Sequence, residues 1–261
     1  MSELNGLYAL WYREFKVFTR EKSRLISSLI QPIMWLVIFG NGIGSSLELG
    51  TSTFATSLGA GVSYEQFIYP GILCMIVLFS SLFFGLYIIM DKRVDFLKEV
   101  LVAPLGRTTI FFGKVIGGST DGIIQVILLM ILGAAFFGIS FSAYSVVVTL
   151  VVIALLLIAI TSLGLTIGAL MSSPEGFGLI TGFVIFPLFF LSGALFPTQS
   201  LPTWLLAFVA VNPVSYAVDS LRSVILGVSS TFGLGVDFAV LIGFAIVMVL
   251  LGTWAFKRMK L

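Results

Sequence analysis

The sequence contains no histidine, a single cysteine (Cys74), and charged residues at only 10% of positions. Without histidine the commonest metal ligand and general base are missing, so metal catalysis and most hydrolase chemistry have little to work with. One cysteine inside a hydrophobic run can close no intrachain disulfide. The charged fraction lies far below the roughly 25% of an ordinary globular domain, and 59% of the residues are hydrophobic with a mean hydropathy of +1.15. A soluble fold could not hide that much apolar surface. No stretch has the G-x-x-x-x-G-K-[ST] spacing that cradles a nucleotide phosphate, since Gly113-Lys114 is followed by Val115 and has no glycine five residues earlier. The chain therefore carries no ATPase site of its own, and no cluster of nucleophiles, acids or metal ligands suggests catalysis.

What charge there is has a pattern. Thirteen of the fourteen Lys and Arg residues fall in three groups: Arg13, Lys16, Arg20, Lys22 and Arg24; Lys92, Arg93, Lys98, Arg107 and Lys114; Lys257, Arg258 and Lys260. Arg222 stands alone. Basic residues in short loops are retained on the cytoplasmic side of a membrane, so an even number of crossings must separate one group from the next. The net charge of +2 follows this boundary and forms no stripe that would suit nucleic acid.

A bilayer core of about 30 Å needs roughly 20 apolar residues in a helix. Six stretches qualify: Ile26–Ile43, Pro70–Met90, Asp121–Ile139, Ser145–Met171, Phe177–Phe196 and Val236–Phe256. Residues 44–69 carry Glu48 and Glu65 and no base, as expected of an outer loop. In the first 24 residues Leu4, Leu7, Tyr8, Trp11, Phe15 and Phe18 recur at helical spacing, with Glu3, Asn5, Arg13, Glu14, Lys16 and Arg20 over much of the rest. That is an amphipathic helix suited to the membrane interface, and its long, partly acidic charged region does not read as a cleaved signal peptide. Asp121 is expected at the cytoplasmic start of the third span, and Gly164 and Gly168 form a small-xxx-small pair suited to close helix packing.

Between Pro197 and Ser230 two apolar pieces, Trp204–Val211 and Val214–Leu226, are too short to cross, and Pro197, Pro202 and Pro213 punctuate them. They predict a re-entrant outer hairpin, with Asn212 satisfying freed backbone at its turn and Gly193 allowing close approach or local flexibility. Asp219 and Arg222, three apart, can pair along one helix face. The expected fold is an all-α polytopic membrane protein with six transmembrane helices, one domain over 1–261. It comprises an interfacial helix at 1–25, a cytoplasmic segment at 91–118 and the hairpin at 197–230.

The run Phe189-Phe190-Leu191-Ser192-Gly193-Ala194-Leu195-Phe196-Pro197, followed by Leu201-Pro202-Thr203-Trp204-Leu205 and Asn212-Pro213-Val214-Ser215-Tyr216 with Asp219 and Arg222, resembles the membrane subunit of ABC-2 type exporters, in the branch of drug-resistance and nodulation-factor permeases. The segment from Lys92 through Pro104 to Gly113-Lys114 is similar to that family's coupling region, although Val94-Asp95-Phe96-Leu97 stands where relatives often have Glu and Gly-Thr. The resemblance implies a separate ABC ATPase subunit, in two copies, that binds ATP and Mg and docks on Arg93, Asp95, Leu97, Glu99 and Pro104. It also implies a second permease copy or homologue, outward transport of an amphiphile, and an outer gate built from Gly193, Pro197, Pro202, Asn212, Pro213, Asp219 and Arg222. The chain would lie in the plasma or inner membrane with both termini cytoplasmic. Aromatics of the fifth span (Phe177, Phe183, Phe186, Phe189, Phe190, Phe196) would suit apolar cargo, membrane lipid or core packing alike. The alternative, an ion-coupled secondary transporter, needs buried carboxylates or histidines as coupling sites, and the spans offer few.

Overall fold

The computed structural model describes residues 3–49, 62–94, 96–102, 105–198 and 201–259. Ten helices fill the described residues: α1 (Glu3–Arg20), α2 (Lys22–Leu49), α3 (Tyr64–Arg93), α4 (Phe96–Val102), α5 (Arg107–Phe136), α6 (Ala143–Leu170), α7 (Pro174–Phe190), α8 (Thr203–Val211), α9 (Pro213–Leu226) and α10 (Leu234–Arg258). No strand occurs among them. Local signals set the boundaries. Ser63 and Gln66 form a capping box at the start of α3, Ser142 and Ser173 cap α6 and α7, and Asn212 with Pro213 at N1 opens α9.

Helices α3, α5, α6 and α10 are each long and apolar enough to cross a membrane, with 25 to 30 residues apiece. At about 1.5 Å per residue they reach roughly 37 to 45 Å. Helix α3 is the axis of the bundle, buried along most of its length and packed against α2, α5, α6, α7 and α9. Its closest partner is α6, and the contact is backbone on backbone. A Cβ at Gly85 would fall on the Gly164 carbonyl, one at Gly168 on the Gly85 carbonyl, and one at Gly164 would sit 2.5 Å from the Leu82 carbonyl. The small-xxx-small pair thus has its counterpart in Gly85. Gly164→Val is expected to destabilise the bundle by about 1–3 kcal/mol or more, read as a lowered thermal midpoint, because a backbone cannot yield as a side-chain tip can.

Three sequence expectations change. The fifth span was expected to run to Phe196, but α7 stops at Phe190 after 17 residues, and Leu191–Phe196 fold into a turn with Gly193 at φ +71°. Apolar continuity hid the break. Within 91–118 a short helix, α4, is followed by a new start at Gly106, but the second helix is no short cytoplasmic piece: α5 begins at Arg107 and runs on through the third span with Lys114 inside it. Asp121 is not at a helix start: it lies midway along α5 and is buried. Helices α8 and α9 bend by 90° at Asn212, the geometry of a broken span or a re-entrant hairpin.

Candidate functional site

One end of the bundle gathers most of the charges. There the last turns of α3, α6 and α10 meet α1 and the first turns of α5 and α7. Helix ends leave carbonyls and amides without partners, and here side chains from neighbouring helices complete them. Lys92 of α3 donates to the carbonyls of Gly168, Ala169 and Met171 at the end of α6, at 3.1, 2.7 and 3.1 Å. Arg107 of α5 donates to the carbonyls of Phe256, Lys257 and Met259 at the end of α10. The Glu3 carboxylate of α1 accepts from the Gly106 amide and the Thr109 hydroxyl at the start of α5. Cations at helix C-termini and an anion at an N-terminus suit the helix dipoles. Bases that read as topology markers in the sequence are therefore also helix caps.

At the centre of this end lies a buried ionic joint. Lys114 is 1% exposed, and its ammonium contacts Glu14 Oε1 at 2.8 Å and Asp91 Oδ2 at 2.5 Å. Arg13 closes the group, 2.7 Å from Glu14 and 3.4 Å from Asp91, while its guanidinium lies 3.8 Å above the Phe96 ring of α4. One lysine and one arginine face two carboxylates, so the joint is neutral overall. It ties α1, α3, α4 and α5 together at a single point. Glycine makes this possible: a Cβ at Gly117 would sit 2.7 Å from the Glu14 Cβ, so only glycine lets α1 lie this close to α5.

The sequence did not reveal this joint. Glu14 was expected on the polar face of the first helix, but it belongs to the buried stripe Gly6, Leu10, Glu14 and Phe18, repeating every four residues, while Leu4 and Tyr8 of the expected apolar face point outward. The available signal was Lys114 itself, a lone charge set among Phe111, Phe112, Val115 and Ile116. Such a cation must be paired if its helix is packed. Of the expected docking residues, Arg93 is exposed and Leu97 is fully buried against Leu10, Ile88 and Ile110, which removes Leu97 from an exposed face. Asp95 and Pro104 lie outside the described residues, as does the Glu99 side chain. Val94 and Val102, which flank α4, present exposed apolar surface instead.

Above the joint, α2 and α3, with Gln125 of α5, line a half-open pocket of about 510 Å³, with apolar side chains such as Met75, Phe79, Phe83 and Met90 in its wall. Gln31, Gln125, Ser27, Ser28 and Ser80 add polar atoms to its wall, and among the described residues no carboxylate or amine lines it. Apolar walls with a few convergent polar groups are the usual character of a small-molecule site. The aromatics of α7 divide into two sets, with Phe177 and Phe189 buried and Phe183, Phe186 and Phe190 exposed.

At the other end, the turn Leu191–Phe196 is non-helical backbone that must be satisfied from within. Asn212, side chains of α9 and Tyr64 of α3 do this. Asn212 Nδ2 donates to the Leu188 carbonyl at 2.8 Å, Ser215 Oγ to the Leu191 carbonyl at 3.4 Å, and Tyr64 to the Leu195 carbonyl at 3.2 Å. Arg222 donates to the Gly193 carbonyl at 2.9 Å and to the Ala194 carbonyl at 3.4 Å, with its guanidinium 3.8 Å above the Phe67 ring. Gly193 and Arg222 thus meet, while Asn212 holds the last turn of α7, Pro213 opens α9, Pro197 follows the turn and Pro202 stands at the N-cap of α8. The expected Asp219–Arg222 ion pair does not form among the described residues. Asp219 turns the opposite way and accepts from the Ser230 hydroxyl and the amides of Thr231 and Phe232. Arg222 finds its acceptors in the freed carbonyls, which the sequence pattern could not show.

Comparison with known proteins agrees with this architecture. Residues 5–226 match the ABC-2 type transporter family. The putative transport permease ycf38 of Cyanophora paradoxa is 31% identical over 225 residues, covering 84% of this chain and 73% of that protein. The inner membrane transport permease YadH of Escherichia coli (strain K12) is 28% identical over 247 residues, covering 90% of each. Nodulation protein J of Rhizobium leguminosarum bv. trifolii is 26% identical over 223 residues, covering 84% of this chain and 80% of that protein.

Proposed function

The chain belongs to the ABC-2 type transporter family and is a membrane transport permease, and from that premise we propose that it is the membrane half of an ATP-driven exporter whose ATPase is a separate subunit. The observation that carries this reading is the buried joint of Arg13, Glu14, Asp91 and Lys114 beneath the cavity. It fastens α4, the short helix offered to a partner, to α3, which lines the cavity and forms the axis of the bundle. A push on α4 reaches the joint through Phe96 and the half-buried Arg13, and α3 through the buried pairing of Asp91 and Glu14 with Lys114, which resists separation far more than exposed pairs do. The docking surface comprises Arg93, Val94 and Val102 around α4, with Asp95, Glu99 and Pro104 joining it from the same segment. ATP and Mg belong to the partner subunit.

In this reading the joint faces the cytoplasm and the buried turn faces outward, which puts the basic groups and both termini inside. The α8–α9 hairpin dips into the outer half of the membrane and closes the path. The cavity takes an amphiphile without formal charge at its contact points, its apolar part against Phe79 and Phe83 and its polar part toward Gln31 and Gln125. The exposed apolar faces of α2 and α7, with Met34, Ile38, Phe183 and Phe186, meet a second permease copy or lipid. Topology is checked by cysteine labelling, since Cys74 is fully buried and gives little background. Thr203→Cys is expected to label from outside intact cells and Lys257→Cys only after permeabilisation, and the reverse pattern would invert the orientation.

The energy source is tested in vesicles holding the chain and its ATPase subunit. Transport is expected to stop when the ATPase is inactivated and to survive ionophores that collapse proton and sodium gradients. Loss with the ionophore and survival without ATP would establish ion coupling instead.

A further inference from the structure

Two carboxylates meet at the start of α10 through one hydroxyl. Ser230 Oγ lies 2.8 Å from Asp219 Oδ2 and 3.3 Å from Asp237 Oδ2, and accepts from the Gly233 amide at 2.7 Å. A hydroxyl has one proton to donate. Asp219 has clear use for it, since its oxygens also accept from the Thr231 amide at 2.8 and 3.0 Å and from the Phe232 amide at 3.0 Å, as an ionised acceptor does. Asp237 is 0% exposed, and its Oδ1 has no hydrogen-bond partner among the described residues. The other hydroxyl facing it, that of Ser220, donates to the Tyr216 carbonyl at 2.8 Å. Both nearby hydroxyls thus have other acceptors for their protons, and among the described residues no N–H donates to the Asp237 carboxyl.

A buried carboxylate without donors, beside an ionised neighbour, is a costly arrangement. A carboxylic acid in the same place is not, because its O–H donates to the free lone pair of Ser230 Oγ. We propose that Asp219, Ser230 and Asp237 form a proton-binding site, with Asp219 ionised and Asp237 holding a proton that closes the loop between α9 and α10. The surrounding groups leave Asp237 no counter-charge. Helix α9 brings Asp219 and, on its other side, Arg222, engaged with the Gly193 and Ala194 carbonyls, together with Tyr216, whose hydroxyl donates to the Ala210 carbonyl. Helix α6 brings Tyr144 alone, and α10 itself has no further ionisable side chain before Lys257. On α5, Arg107 and Lys114 sit toward the opposite end and Asp121 at mid-helix. Loss of the proton sets two negative charges against one hydroxyl and releases residues 230–232 from α10. This site is independent of how transport is driven.

The test uses the full chain in lipid nanodiscs and two readouts. Wild-type protein at about pH 5 is expected to show an infrared carbonyl stretch of a protonated carboxylic acid that Asp237→Asn lacks. The amide of Asp237→Asn is neutral and can donate to Ser230, so this variant should fold. Relative to it, the wild-type thermal midpoint is expected to fall by about 3–5 °C per pH unit wherever the folded chain holds the proton and the unfolded chain does not. The sign follows because the folded state then binds more protons. An unchanged infrared band in Asp237→Asn, parallel pH profiles, or failure of that variant to fold would overturn the proposal. So would stabilisation of wild type alone by added sodium or calcium, which would make this a cation site.

Discussion

Replacing Lys114 by methionine is expected to cost the protein about 3–5 kcal/mol, the largest effect of any single charge in the chain. The substitution keeps the length and apolar stem of the side chain and removes only the cation, leaving Glu14 and Asp91 buried with Arg13 as their sole base. Thermal unfolding in detergent measures it. Adding Glu14→Gln and Asp91→Asn to Lys114→Met should recover most of the loss, because a joint with all its buried charges removed no longer strands any of them. The rescued protein is the informative one. It should insert and fold, yet transport with reduced coupling to ATP hydrolysis, since hydrogen bonds between amides hold α1 and α3 less firmly than ions do. Wild-type coupling in the rescued variant would reduce the joint to a packing device.

Arg222→Ala is expected to cost about 2–4 kcal/mol, the sum of leaving buried carbonyls at Gly193 and Ala194 without a donor and losing the stacking on Phe67. Lysine should not rescue it, because a point charge cannot both fork between two carbonyls and lie flat on a ring. Export should fall with the stability of the turn. Asp219 and Arg222 bond to different groups, so a double-mutant cycle between Arg222→Ala and Asp219→Ala should show only the modest coupling of two neighbouring charges, about 0.5–1 kcal/mol, and not the several kcal/mol of a direct buried ion pair. A larger coupling would restore the direct ion pair that their spacing suggests.

Hydropathy and the basic groups made the long helices α3, α5, α6 and α10 legible, because each lies in an apolar run longer than a bilayer is thick. The turn at Asn212-Pro213 was legible too. What stayed hidden depends on partners distant in sequence. Glu14 and Lys114 lie 100 residues apart, and nothing local tells a buried pair from two surface charges. The end of α7 was invisible because Leu191–Phe196 is as apolar as the helix before it, so only the donors of Arg222, Asn212 and Ser215 mark where the backbone turns. Asp237 drew no notice in the sequence, because its burial depends on the contacts of α10 with the end of α9 and the residues that follow it.

The separation of permease from motor is tested most directly by ATP hydrolysis with the chain purified alone and then combined with its ATPase subunit. The chain alone is expected to show no turnover, since it lacks a phosphate-cradling loop, and to form a stable complex in which the ATPase subunit's hydrolysis rate changes. Sustained ATP turnover by the pure single chain, or an ATPase subunit that neither binds the chain nor changes its rate beside it, would contradict the account.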